Sequence, residues 1–147
     1  MINSFMEEHM DDELRKLRAA MLADQLPGYT GTLQYWKNTF HPFRYTDGVK
    51  FLAEMAQCYW LLDAIASWQI SPKVRGDKML GEIQFWTLEV KENHSAKLMC
   101  ERDKNDVAVT QKIGYTDFPL PKIKLYLQAM SFYKSSVGGV LMLPSEY

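Results

Sequence analysis

The sequence predicts an α+β fold: an amino-terminal amphipathic helix and a buried central helix, packed on an antiparallel sheet of about four strands. Three observations predict it. Thr46–Gln69 (TDGVKFLAEMAQCYWLLDAIASWQ) is apolar nearly all round and free of proline, which is the signature of a helix inside a protein. Residues 79–115 alternate apolar and polar side chains between short turn-forming connections, as an antiparallel meander does. Residues 1–25 carry apolar side chains at helical spacing.

At 147 residues, with 47% hydrophobic and 24% charged side chains, the chain is expected to form one domain over 1–147, with 1–28 as a helical amino-terminal segment. A formal net charge of −1 gives no global attraction to nucleic acid or to anionic lipid. No signal-peptide pattern opens the sequence, and the expected location is the cytoplasm, with no membrane partner. Cys58 and Cys100 lie far apart in the chain and are expected as reduced, buried thiols.

In the first helix Met6, Met10, Leu14, Leu17 and Met21 follow at steps of three and four. Ser4 and Glu7 have capping-box spacing. Acidic residues fill the first half and Arg15, Lys16 and Arg18 the second, an order that suits the helix dipole. The apolar stripe is expected to pack on its own domain or on a second copy in a homodimer. Leu26-Pro27-Gly28 ends the helix.

Residues 29–45 mix aromatics (Tyr29, Tyr35, Trp36, Phe40, Phe43, Tyr45) with Lys37, His41 and Arg44. Such a segment can cover a core or stack the bases of a single strand. In the central helix, Thr46 and Asp47 are good caps, and Lys50, Glu54 and Gln57 form one polar stripe. Opposite that stripe a continuous helix places Asp63 on the face of Leu52, Ala56 and Tyr59, with Ser67 one turn on. A carboxylate there needs a partner: a backbone amide, Arg44 or a tyrosine hydroxyl. The structural reading, a buried anchor, is favoured over a functional acid.

The strands expected next are 79–91, 95–102 and 107–115. The first changes phase midway, with Ile83 and Phe85 on one face and Trp86, Leu88 and Val90 on the other, as in a bulged or doubly covered strand. Residues 120–133 fit either a helix or a strand, and the helix is favoured because Pro119 and Pro121 sit where a first turn would be. Residues 134–139 read as a Ser/Gly loop and 140–143 as a last short strand.

The sequence holds no Gly-rich phosphate loop, no GxSxG, HExxH or CxxC, and no calcium loop. His9, His41 and His94 fall in three elements without ligand spacing, and no cofactor is expected. Cys58, mid-helix, is a poor nucleophile.

Thr30-Gly31-Thr32, the run from Tyr45 to Glu54 (YTDGVKFLAE), Tyr59–Ser67 (YWLLDAIAS), Thr116–Pro121 (TDFPLP) and Leu143–Tyr147 (LPSEY) resemble a bacterial family of unknown function that is frequent on plasmids, phages and other mobile elements. Ala129 to Gly138 stands as an insertion against its pattern. The resemblance implies a non-enzymatic interaction protein of a mobile element, binding and inhibiting a host protein such as a defence-system component. One alternative is a small-ligand binder or enzyme with a pocket around Asp63 and residues 29–45. Another is a single-stranded nucleic-acid binder on that segment. The candidate binding residues are Asp63, Tyr59, Ser67, Tyr35, Trp36, His41 and Arg44.

Overall fold

The computed structural model describes residues 4–129 and 139–147, with side chains from residue 11 onward. Helix α1 spans Ser4–Gln25 and ends in a 3-10 turn at Leu26–Gly28. Two short strands follow, β1 (Trp36–Lys37) and β2 (Phe43–Tyr45). Then come α2 (Asp47–Met55), α3 (Tyr59–Trp68) and the single turn α4 (Pro72–Arg75). The remaining strands are β3 (Ile83–Val90), β4 (Ala96–Asp103), β5 (Asp106–Ile113), β6 (Lys122–Gln128) and β7 (Gly139–Met142). They join one seven-stranded sheet in the order β1-β2-β7-β6-β3-β4-β5. The class is α+β, but the sheet is larger than the four strands expected. It is antiparallel except where β2 pairs with β7.

The expected central helix is two helices. Gln57 adopts φ 51, and around it the Cys58 amide donates to the Ala53 carbonyl at 2.9 Å and the Gln57 amide to the Glu54 carbonyl at 3.4 Å. That pair of bonds is a Schellman motif, which ends α2 and turns the chain. Glycine usually fills the left-handed position; here a glutamine does, and no local stop signal marks the end of α2. The turn resets the helical phase. Leu61, Leu62, Ile65 and Ala66 become the buried face of α3, while Tyr59, Asp63 and Ser67 face outward. Asp63 is therefore not in the core. Trp60 is only half-buried.

The segment expected as a helix at 120–133 is strand β6 over Lys122–Gln128. Its side chains alternate, with Leu125 and Leu127 buried and Lys122 and Lys124 exposed. It pairs with β3 on one side and β7 on the other, so its backbone groups are satisfied along both edges. Residues 130–138, read as the end of that helix, a Ser/Gly loop and an insertion, lie outside the described residues. Strand β3 runs in unbroken register against β4 and β6, so its phase change is not a bulge. Register instead shifts between β4 and β5 near Cys100–Asp103.

The helices pack on one face of the sheet. Between them a core forms from Phe43, Val49, Leu52, Leu62, Ile65, Trp86, Leu88, Leu125 and Leu141, among others. Inside it, Gln69 and Gln84 exchange amide hydrogen bonds at 2.8 Å in both directions. Gln69 also donates to the Ile65 carbonyl, Gln84 to the Leu80 carbonyl, and the Trp86 indole donates to Gln84. A buried polar pair whose members are all bonded fixes α3 over β3 at little cost. Cys58 and Cys100 are free and buried, as expected. Cys58 caps the amino end of α3 rather than lying mid-helix, yet burial pushes both thiols up to about 12 and keeps them protonated at neutral pH. On α1, Leu22 is buried while Leu14 and Leu17 stay exposed. Met6 and Met10 lie outside the described side chains.

The amino end of α2 gathers two remote segments, 32–36 and 143–146. The Thr46 hydroxyl takes the Val49 amide at 3.4 Å and donates to the Glu146 carboxylate at 2.6 Å. Glu146 also receives the Gly48 amide at 3.2 Å and the Leu143 amide at 3.0 Å. A Cβ on Gly48 would lie 2.5 Å from a Leu143 methyl and 2.7 Å from Glu146, so any larger residue would have to push aside the Leu143 side chain and the carboxylate that receives these amides. Asp47 accepts from the Leu33 amide and the Trp36 indole, each at 2.9 Å, and its own amide donates to Thr32 at 3.0 Å.

Two predictions follow from these contacts. Gln57→Gly removes the cost of a left-handed glutamine and should raise stability by about 0.5–1 kcal/mol, measured by urea unfolding; a loss of stability would mean the Gln57 side chain itself holds the turn. The Trp36 and Leu33 hydrogen bonds hold the Asp47 carboxyl below its ordinary value of 3.8. A lowered pKa contributes stability that is complete above the unfolded value and is lost as pH falls through the folded one. The stability gap between the wild type and Asp47→Asn should therefore be constant near neutrality and shrink below about pH 4; a gap unchanged in acid would remove the carboxylate's charge from the account.

Candidate functional site

A groove of about 440 Å³ runs along the outer face of α3, lined by Phe40, His41, Pro42, Asp63, Ala66, Ser67 and Ile70. Its wall is the loop before β2, where Pro42 keeps His41 extended. The Asn38 carbonyl takes the His41 amide at 3.1 Å, the Asn38 side chain takes the Phe40 amide at 3.2 Å, and the Lys37 ammonium donates to the His41 carbonyl. This turn aims Phe40 outward, 92% exposed, and His41 inward, 5% exposed.

The anchor relation expected at Asp63 is inverted. Asp63 is 65% exposed along its side chain, and His41 is the buried member, its Nε2 lying 2.7 Å from the carboxylate. The partner is neither Arg44 nor a tyrosine. The His41 ring leans on Phe43 at 5.3 Å between centroids, which fixes its plane. Its Nδ1 is buried with no partner among the described residues.

Ser67 lines the same groove, but its hydroxyl donates to the Ala64 carbonyl at 2.7 Å. With Nε2 on Asp63 and Nδ1 turned inside, His41 has no free nitrogen facing Ser67. A serine nucleophile needs such a base within hydrogen-bond reach, so these three side chains are not arranged as a hydrolytic triad. What the groove offers is apolar surface at Phe40, Pro42 and Ile70 beside one carboxylate.

The other expected residues go elsewhere. Trp36 is half-buried at the start of α2, its indole on Asp47 and its ring under the Lys50 ammonium at 3.9 Å. Lys50 also pairs with Glu54 at 3.3 Å, so the polar stripe is partly engaged. Tyr59 opens α3, edge-on to Tyr45 at 6.5 Å, and burial, with Tyr45 and Glu54 adding, pushes its phenol up to about 12. Tyr35 is exposed. Arg44 projects from the opposite face of β2 to Phe43 and Tyr45, on the sheet side where no described helix packs. Structure thus joins His41, Asp63 and Ser67 in the groove, leaves Tyr59 one turn before Asp63 on the same face of α3 but outside the groove lining, and places Tyr35, Trp36 and Arg44 elsewhere.

Phe40 and Ile70, the most exposed apolar side chains of the groove, were missed as site residues. Phe40 lay among aromatics read as core cover, and Ile70 falls just past α3, with no local signal that it would face water. Among the described residues, no three His, Cys, Asp or Glu side chains converge as a metal site, and no helix is long and apolar enough to cross a membrane.

This is an α+β protein with helices on one side of a mixed sheet and a surface groove on the helical side. The chain belongs to a family of unknown function, DUF6876, whose match covers residues 20–147. No curated protein and no solved structure matches the chain.

The inverted anchor can be tested by substitution. Asp63→Ala should cost no more than about 1 kcal/mol, because the carboxylate is solvated. His41→Ala, which empties buried space beside Phe43, should cost more. Chemical denaturation of both variants decides; the reverse ranking would restore Asp63 as the anchor.

Proposed function

We propose that this chain is a non-enzymatic interaction protein that seats a protein partner in the Phe40–Ile70 groove. In the mobile-element setting that the family resemblance implies, the partner is a host protein, such as a defence-system component, which binding inhibits.

The observation that carries the reading is the exposure of Phe40 at 92% and of Ile70 at 75% on either side of Asp63. Large apolar side chains this open, ringed by polar groups, are the composition of a protein interface centre. Aromatic residues are also the commonest anchors of such interfaces. The Asp63 oxygen that does not meet His41 has no partner among the described residues, and can accept from a cation or amide of the partner. The buried imidazole behind it holds the carboxylate in place.

The test is a comparative capture from bacterial lysate with a Phe40→Ser/Ile70→Ser double variant. Both side chains are exposed, so the variant should keep its stability to within about 0.5 kcal/mol. A stoichiometric protein retained by the wild type and lost by the folded double variant supports the groove. Retention by both, or by neither, speaks against it.

A further inference from the structure

The face of the sheet turned away from the helices carries a second surface; no described helix packs across it, and Tyr147 touches it at Tyr126. Register fixes which side chains it presents. Lys122, Glu89, Lys97 and Lys112 lie in one row across β6, β3, β4 and β5. Lys124, Thr87, Met99 and Thr110 form the next row, and Tyr126, Phe85 and Glu101 the one after. Arg44 and Lys37 extend the same face onto β2 and β1. Cations thus outnumber carboxylates on this face, in a chain whose formal net charge is −1. One lysine is partly offset, since the Lys122 ammonium lies 4.0 Å from Glu89.

Aromatic rings stand beside these cations. Phe85 and Tyr126 meet at 5.0 Å with their planes at 88°, and Tyr126 meets Tyr147 at 5.7 Å and 81°. Perpendicular pairs are not closed by mutual stacking. Two cavities adjoin them: one of about 900 Å³ along Lys97, Lys112 and Lys122 with Glu89, and one of about 260 Å³ along Phe85, Lys124 and Tyr126, with Lys104 and the carboxylates Glu101 and Asp103 at its side. Along β6 the outward sequence is Lys122, Lys124, Tyr126, at steps of about 6.8 Å. Cations in file with an aromatic platform match the alternation of phosphate and base in a single strand.

We propose that this outward sheet face binds single-stranded nucleic acid, with Phe85 and Tyr126 stacking bases and Lys97, Lys112, Lys122 and Lys124 meeting phosphates. This surface is separate from the Phe40–Ile70 groove and does not depend on it. It also differs from the segment 29–45 to which the sequence pointed. Only Arg44 and Lys37 of that segment share the face; His41 and Trp36 do not. A duplex should bind less well, because its bases are already stacked on one another.

Fluorescence anisotropy with labelled single-stranded RNA, single-stranded DNA and a duplex of about the same length, at low salt, tests the proposal. Single strands should bind in the micromolar range, with a log–log salt slope of about −2 to −3 from three or four neutralised phosphates. Lys122→Glu/Lys124→Glu should weaken binding at least about tenfold. Tyr126→Leu, which keeps apolar bulk without the ring, should weaken it about five- to a hundredfold. Lys73→Glu/Arg75→Glu on α4, across the sheet, should stay within about twofold of wild type. Circular dichroism confirms that each variant is folded. Tighter binding of RNA than DNA would assign the 2′-hydroxyl a contact, and equal binding would assign the surface to both; each supports the site. No binding at low salt, a preference for duplex, an equal loss in the α4 variant, or an unaffected Tyr126→Leu would overturn it.

Discussion

The fold depends on the amino end of α2. A helix begins with backbone amides that have no partner inside it, and here those donors meet the side chains of Thr32, Thr46 and Glu146. Thr46 caps the Val49 amide, Glu146 takes the Gly48 amide and the Thr46 hydroxyl, and Asp47 turns outward to Leu33 and Trp36. Two carboxylates at the positive end of the helix dipole are favourable in themselves. Their larger effect is topological. The parallel pairing of β2 with β7 joins segments nearly a hundred residues apart, and the Thr46 amide continues that pairing onto the Leu141 carbonyl at 3.2 Å. Glu146 ties the strand's far end to the same helix. Three of the segments that carry the family resemblance, around Thr32, Thr46 and Glu146, are thereby one structural unit.

A second constraint sets which surfaces are left over. The Gln69–Gln84 exchange and the Asp77–Arg102 pair, at 2.5 Å, hold the helical layer and its connection to β3 against one face of the sheet. Arg102 keeps the Asp77 carboxyl below its usual range. With the helices committed to one face, the outward positions of β6, β3, β4 and β5 are left without a described helix over them, and only Tyr147 leans on that face, at Tyr126. The helical side offers an apolar groove beside a carboxylate; the sheet side offers lysines and perpendicular aromatic rings. Surfaces of such different chemistry suit different ligands.

The meander β3-β4-β5 was legible because everything that specifies it is local: period-two alternation and short polar turns. The caps of α2 were legible for the same reason. Strand β6 was not. KIKLYLQ fits two periods, and the prolines before it imitate a helix start; two hydrogen-bonded neighbours, β3 and β7, decided between them. The groove was legible in part. Asp63 stood out as a carboxylate in an apolar run, yet its partner His41 lies in another element, and pairing across 22 residues leaves no periodic trace.

The sequence by itself determined the α+β class, the helical start at Thr46, the alternating strands and two buried, unpaired thiols, since each follows from composition or from a window of a few residues. Tertiary structure decided which side of each element faces water. The left-handed residue Gln57 breaks one expected helix into two, and that single turn carries Asp63 and Ser67 from the interior to the surface. No local pattern encodes such a reversal, because a glutamine adopts the left-handed conformation only when tertiary packing, here the burial of Ala53, Cys58 and Leu61 on either side of the turn, outweighs the strain.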